Sequence, residues 1–126
     1  MGIDIYSEWK GQTEKEKHTQ WAAIFSPFHG HVGYLREAYH GEPYATKFLC
    51  REAFESSTGS AAIPAGILRQ RLPATLELAE RRERQIYRET DKKVIARIQQ
   101  SYRDFVSLCE QKEVETGQPV TIEASC

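Results

Sequence analysis

The stretch GIDIYSEW, residues 2–9, alternates along its length: Ile3, Ile5 and Trp9 fall on one side, and Asp4, Tyr6 and Glu8 on the other. Period-two alternation is the signature of a strand with one face on a core and one in water. The same pattern returns at the other end of the chain. Gly117 and Pro119 end a helical run, after which Val120, Ile122 and Ala124 alternate with Thr121, Glu123 and Ser125. Strands at both termini with helical sequence between them imply an α+β domain in which the terminal strands pair in one small sheet. A two-stranded ribbon is marginal in water, so a further strand or a packed helix is required, and residues 61–63 are a candidate third piece.

Between these strands the helix signals are ordered. Thr13 followed by Glu16 forms a capping box, which starts a helix expected to carry Trp21, Ala22 and Phe25 toward the core and to end at Pro27. Residues 32–40, VGYLREAYH, are rich in helix formers and precede Gly41 and Pro43, which predicts a short helix. Tyr44, Ala45, Phe48, Leu49, Ala53 and Phe54 recur at helical offsets, then dissolve into a serine-rich loop at 56–60. Pro64 suits a helix start, and Pro73 biases Leu72 away from helical geometry, so a short helix is expected to break before a longer one. That longer helix carries Leu76, Ala79 and Ile86. After a turn at Thr90-Asp91, Val94, Ile98, Tyr102, Phe105 and Cys109 form the stripe of its antiparallel partner, making a C-terminal helical hairpin. The whole of 1–126 reads as one domain.

Seventeen basic and eighteen acidic side chains nearly balance, so the electrostatic footprint of a nucleic-acid-binding domain is missing. Arg81, Arg82, Arg84 and Arg88 interleave with Glu77, Glu80, Glu83 and Glu89, which reads as a solvated helix face. No apolar run reaches membrane-spanning length and no secretory signal is visible, so a cytoplasmic protein without membrane contact is expected. Tyr6 breaks a myristoylation pattern after Gly2, and Cys126 as the last residue breaks a prenylation box. Three widely spaced cysteines suit neither a disulfide framework nor a zinc knuckle; Cys50 and Cys109 read as packing groups and Cys126 as an exposed thiol.

The segment most suited to chemistry is HGHVGYLREAYHGEPYATK, residues 29–47, which holds three of the four histidines. His29 and His31 present two imidazoles from a glycine-hinged loop, and a carboxylate from a strand face, Asp4 or Glu123, would complete a divalent-metal site. His40 falls outside such a centre, because nine helical residues put it about 13 Å from His31 along the axis. Alternatively, backbone amides from Gly30 to Gly33 with Arg36 one turn on form an anion site. No P-loop or dinucleotide fingerprint is present. Pairing of Cys50 or Glu37 with His40 lacks any family signature, and Tyr34, Tyr39 and Tyr44 are candidates to line an aromatic pocket.

The opening MGIDIY together with GHVGYLREAYHGEPYAT resembles a group of small uncharacterised bacterial and phage-associated proteins that begin with an MGxDI pattern. The resemblance covers the first strand and the segment through Thr46, and it implies no activity, cofactor or site residue. The residues themselves lead to a binding domain that uses the 29–47 segment, with His29, His31, Tyr34, Arg36 and His40 as its ligand contacts. Its partner would be a protein or a small anionic ligand. The alternative is a metal-assisted hydrolase in which His29, His31 and Asp4 hold the ion, Glu123 or Glu37 positions water and Arg36 stabilises an anion. A second apolar strip on the hairpin, Leu78, Tyr87, Ile95 and Val106, adds the expectation of a homo-oligomer.

Overall fold

The computed structural model describes residues 2–39 and 41–126. Strand β1 (Gly2–Glu8) is followed by helix α1 (Glu14–Ala22), a 3-10 turn at Gly30–Val32 and strand β2 (Tyr34–Ala38). Helices α2 (Ala45–Leu49) and α3 (Arg51–Glu55), strand β3 (Ser60–Ile63), the long helices α4 (Ala65–Gln85) and α5 (Lys92–Thr116), and strand β4 (Val120–Ser125) complete the chain. The four strands form one antiparallel sheet in the order β2-β1-β4-β3. The terminal strands pair at its centre, with Tyr6 opposite Glu123 and Asp4 opposite Ser125. Residues 60–63 supply the third strand.

One face of the sheet carries Ile3, Ile5, Leu35, Ile63, Val120 and Ile122, all buried against Leu49, Leu68, Leu72, Tyr102, Phe105 and Val106 of the helices. Full burial of such side chains contributes about 1.5–3 kcal/mol each, which makes this layer the main source of stability. The opposite face carries Asp4, Tyr6, Arg36 and Glu123. Helices α4 and α5 pack along each other as the expected hairpin. Thr13 and Glu16 form the expected capping box, and Gly117 at φ 75° ends α5. No helix among the described residues is long and apolar enough to cross a membrane.

Several local expectations are overturned by tertiary structure. Residues 34–38 form a strand where the propensities of Leu35, Arg36, Glu37 and Ala38 favoured a helix. Gly33 turns the chain at φ 91°, and a Cβ there would come within 2.0 Å of the Ser7 hydroxyl, so the segment is delivered directly onto the open edge of β1. Once paired, Leu35 and Glu37 point inward and Arg36 outward, a period of two hidden by good helix formers. Pro73 does not break α4. The carbonyl it leaves without a donor is that of Arg69, and both residues lie on the exposed side of the helix, where solvent can satisfy it.

Trp21 and Phe25 are 67% and 70% exposed rather than buried, and Ala22 is also exposed. The buried group of α1 is Gln20, whose amide takes the Ser7 backbone N–H (3.2 Å) and donates to the Ser7 carbonyl (2.9 Å). It completes β1 where the pairing with β2 has ended at Tyr6. Arg82, read as part of a solvated face, is only 3% exposed, whereas its neighbour Arg84 makes the expected exposed pair with Glu80. In the hairpin's second strip, Ile95 and Val106 are buried within the chain and Leu78 packs on the core, so the strip is not a free apolar surface.

Candidate functional site

The histidine loop and the strand carboxylates occupy separate places. The His29 and His31 rings lie 5.4 Å apart at their centroids, and His29 Nδ1 contacts the Ser26 hydroxyl at 2.6 Å. His31 borders a small hollow of about 190 Å³ with Trp9, Glu16 and Lys112. Asp4 is held by Arg36, whose Nη1 donates to both carboxylate oxygens at 2.8 and 2.9 Å, and by the Tyr34 hydroxyl. Glu123 stands opposite Tyr6 on the same sheet face. Among the described residues no three His, Cys, Asp or Glu side chains form a group able to hold a metal ion. His40 lies outside the described residues.

Three of the four amides expected to cradle an anion are already engaged. Gly30 N–H donates to the Ser101 hydroxyl at 2.8 Å, Val32 N–H to the His29 carbonyl and Gly33 N–H to the Gly30 carbonyl. The loop is seated so closely on α5 that a Cβ at Gly30 would lie 1.7 Å from the Ser101 carbonyl oxygen. This contact fixes the path of residues 25–32 beside β2.

Two polar networks shape that region. On the outer sheet face, Phe25 N–H donates to the Tyr34 hydroxyl at 3.0 Å, Tyr34 donates to Asp4, and the Arg36 guanidinium lies 5.1 Å over the Phe25 ring. Burial, reinforced by the bond to Asp4, pushes the Tyr34 hydroxyl far above its ordinary range, so it remains a donor. The circuit holds Phe25 at φ 74°, a conformation that costs a bulky residue on the order of 1–3 kcal/mol.

On the inner face, Glu37 is nearly buried and accepts from Ala45 N–H (2.8 Å), Thr46 N–H (2.9 Å), the Thr46 hydroxyl (2.6 Å) and Arg82 Nε (2.7 Å). Arg82 donates further to the carbonyls of Gly41 (2.6 Å), Pro43 (2.8 Å) and Ala38 (3.1 Å). Its guanidinium lies 4.7 Å over the Tyr44 ring, on which Tyr39 stacks. The pair therefore ties β2, the 41–46 segment and α4 into one unit. Tyr39 and Tyr44 belong to this unit, and Tyr34 belongs to the outer circuit.

Between the 25–28 segment, β2 and the turn end of the α4–α5 hairpin lies a cleft of about 390 Å³. Phe25, Phe28, Val94 and Ile98 give it apolar walls, and Arg82, Glu83 and Tyr102 bring polar groups to it. Tyr102 is 4% exposed, and its hydroxyl makes no hydrogen bond among the described residues. No fully enclosed side-chain oxygen or nitrogen among those residues lacks a partner, so this hydroxyl reaches the open space of the cleft. Burial, helped by Glu89, raises the Glu83 carboxyl above its usual range. A second hollow of about 460 Å³ runs along the outer sheet face past Tyr6, Glu8, Lys17 and Glu123. It is larger, but Glu8 and Glu123 are exposed there and its buried Ser7 and Gln20 side chains already bond to backbone carbonyls. The smaller cleft, with apolar walls and converging perturbed polar groups, is the better candidate.

Of the residues singled out from sequence, Arg36 borders this cleft and Tyr34 supports its Phe25 wall. His29, His31, Asp4 and Glu123 are not among its lining residues. Phe25, Glu83 and Tyr102 were assigned as core or surface positions, and no local pattern marks them as neighbours. Comparison of the chain with protein-family models, with curated proteins and with solved structures finds no match in any of the three.

Proposed function

We propose that this protein is a binding domain and that its site is the cleft between residues 25–28, β2 and the α4–α5 hairpin. The observation that carries this reading is Tyr102, whose side chain is nearly buried while its hydroxyl, without a partner among the described residues, opens onto an apolar space. A hydroxyl so placed is free to hydrogen-bond a ligand group. The strained Phe25 supports the same location, because backbone strain concentrates where a side chain must be held in a set position. A volume of about 390 Å³ lies within the range of small-molecule sites, roughly 300–1,000 Å³.

Titration with a library of small aromatic fragments, followed by amide NMR shifts, tests the assignment. Shifts should concentrate at Ala38, Ala79, Ile98 and Tyr102, and Val94→Trp, which fills the cleft from its half-exposed rim, should abolish them. Fragments that shift only Tyr6, Thr121 and Glu123, or none that shift the cleft, would contradict it.

A further inference from the structure

The charges around the cleft do not balance. Arg82 is matched by Glu37 and Arg36 by Asp4, each through short ion pairs. Glu83 and Glu89 also line the cleft, and neither makes an ion pair or a side-chain hydrogen bond among the described residues. The turn after α4 keeps them together: Arg88 adopts φ 55° and Glu89 N–H donates to the Glu83 carbonyl at 2.8 Å. Two adjacent carboxylates beside apolar walls are an unfavourable arrangement without a counter-charge.

Tyr102 is an independent indication, since its side chain is only 4% exposed while its hydroxyl, without a partner among the described residues, opens onto the same space. The aromatic walls suit a cation as well. Arg36 already lies over Phe25 at 5.1 Å, and Arg97, exposed and outside the cleft, lies over Phe28 at 3.9 Å.

We propose that the cleft binds a protonated organic amine, with the ammonium group between Glu83 and Glu89, hydrogen-bonded to the Tyr102 oxygen, and an apolar body against Phe25, Phe28 and Ile98. This rests on the cleft being the binding site and adds the class of ligand. The amine donates and the Tyr102 oxygen accepts, while Glu83 and Glu89 supply the neutralising charge. The Gly30, Val32 and Gly33 amides, which would favour an anion, are turned to partners elsewhere.

Three probes of one shape separate the possibilities: 2-phenylethylamine, which is protonated at neutral pH, neutral 2-phenylethanol and anionic phenylacetate. Each is titrated into the full chain and followed by amide NMR. The amine should bind with a dissociation constant on the order of a millimolar, as expected for a ligand of this size. It should bind at least about fivefold more tightly than the alcohol, and phenylacetate more weakly than either. The pair Glu83→Gln and Glu89→Gln should bring the amine down to the alcohol's affinity, with an amide spectrum showing the fold retained. Tyr102→Phe should weaken the amine about threefold or more. Equal binding of all three probes at the cleft, tighter binding of phenylacetate, or an amine preference unchanged in the double variant would overturn the amine assignment while leaving the cleft as the site. Absence of cleft shifts with every probe would overturn both.

Discussion

At the scale of single residues, Glu83 is where stability and the proposed amine binding pull apart. Its carboxyl is raised chiefly by burial and also by Glu89, against the opposing charge of Arg82, with Glu37 adding to the rise. A carboxyl whose folded value is raised contributes stability that is present below its unfolded value, near 4.5, and lost as pH rises through the folded value. At pH 7 the ionised group therefore opposes folding. Glu83→Gln should raise the melting temperature at pH 7 by on the order of 1–3 °C, and the gain should fade as the buffer is taken toward pH 4. A lower melting temperature for Glu83→Gln at pH 7 would mean that the carboxylate is a structural partner. The cysteines are the counterexample of residues whose sequence reading held. Cys50 and Cys109 are buried, and desolvation pushes Cys109 up to about 12, which leaves it a packing group.

Arg82 shows why residue-level reading failed where it did. A run of alternating arginines and glutamates has the same local pattern whether it faces water or a buried carboxylate, and only the arrival of β2 decides which. With Glu37 as its buried partner, Arg82→Met should cost about 3–5 kcal/mol in urea unfolding, because it strands a desolvated carboxylate. A solvated helix face would lose no more than about 0.5 kcal/mol from the same change. Glu37→Gln leaves one acceptor oxygen where the Ala45 and Thr46 amides use both and strips Arg82 of its buried counter-charge, so it should cost a comparable amount.

At the scale of elements, the terminal strands, the capping box of α1 and the stripe of α5 were legible because each is fixed by a local period or cap. Strand β2 was not, because its identity comes from pairing with β1 and from the turn at Gly33, both of which override the helix propensity of YLREA. The path of the loop before it depends on Gly30. Gly30→Ala would place a methyl carbon against the Ser101 carbonyl and should destabilise the protein by about 2 kcal/mol or more, since backbone has to move. Gly66→Ala is the matched control, exposed in the first turn of α4 with nothing within 4 Å, and should gain roughly 0.5–1 kcal/mol. Thermal unfolding of the two variants side by side reads the difference, and equal effects would contradict the seating of the loop on α5.

At the scale of the whole molecule, the helices α2 to α5 cover one sheet face, and a cleft opens where β2 ends, α4 turns into α5 and the 25–28 segment crosses to α5. Such a site cannot be read from spacing. Phe25, Ala38, Glu83 and Tyr102 are brought together only by the strand order β2-β1-β4-β3 and by the hairpin's orientation against it. The histidine loop drew attention because unusual residues crowd in sequence. Its part in the fold is to anchor on α5 through Gly30 and so set one wall of the cleft.

The most direct measurement is a crystal structure of the protein soaked with 2-phenylethylamine. Amine binding in the cleft places the ring between Phe25, Phe28 and Ile98 and the nitrogen within hydrogen-bond distance of the Tyr102 hydroxyl, beside Glu83 and Glu89. Density for the amine on the outer sheet face near Tyr6 and Glu123, or an unoccupied cleft at saturating probe, would contradict it.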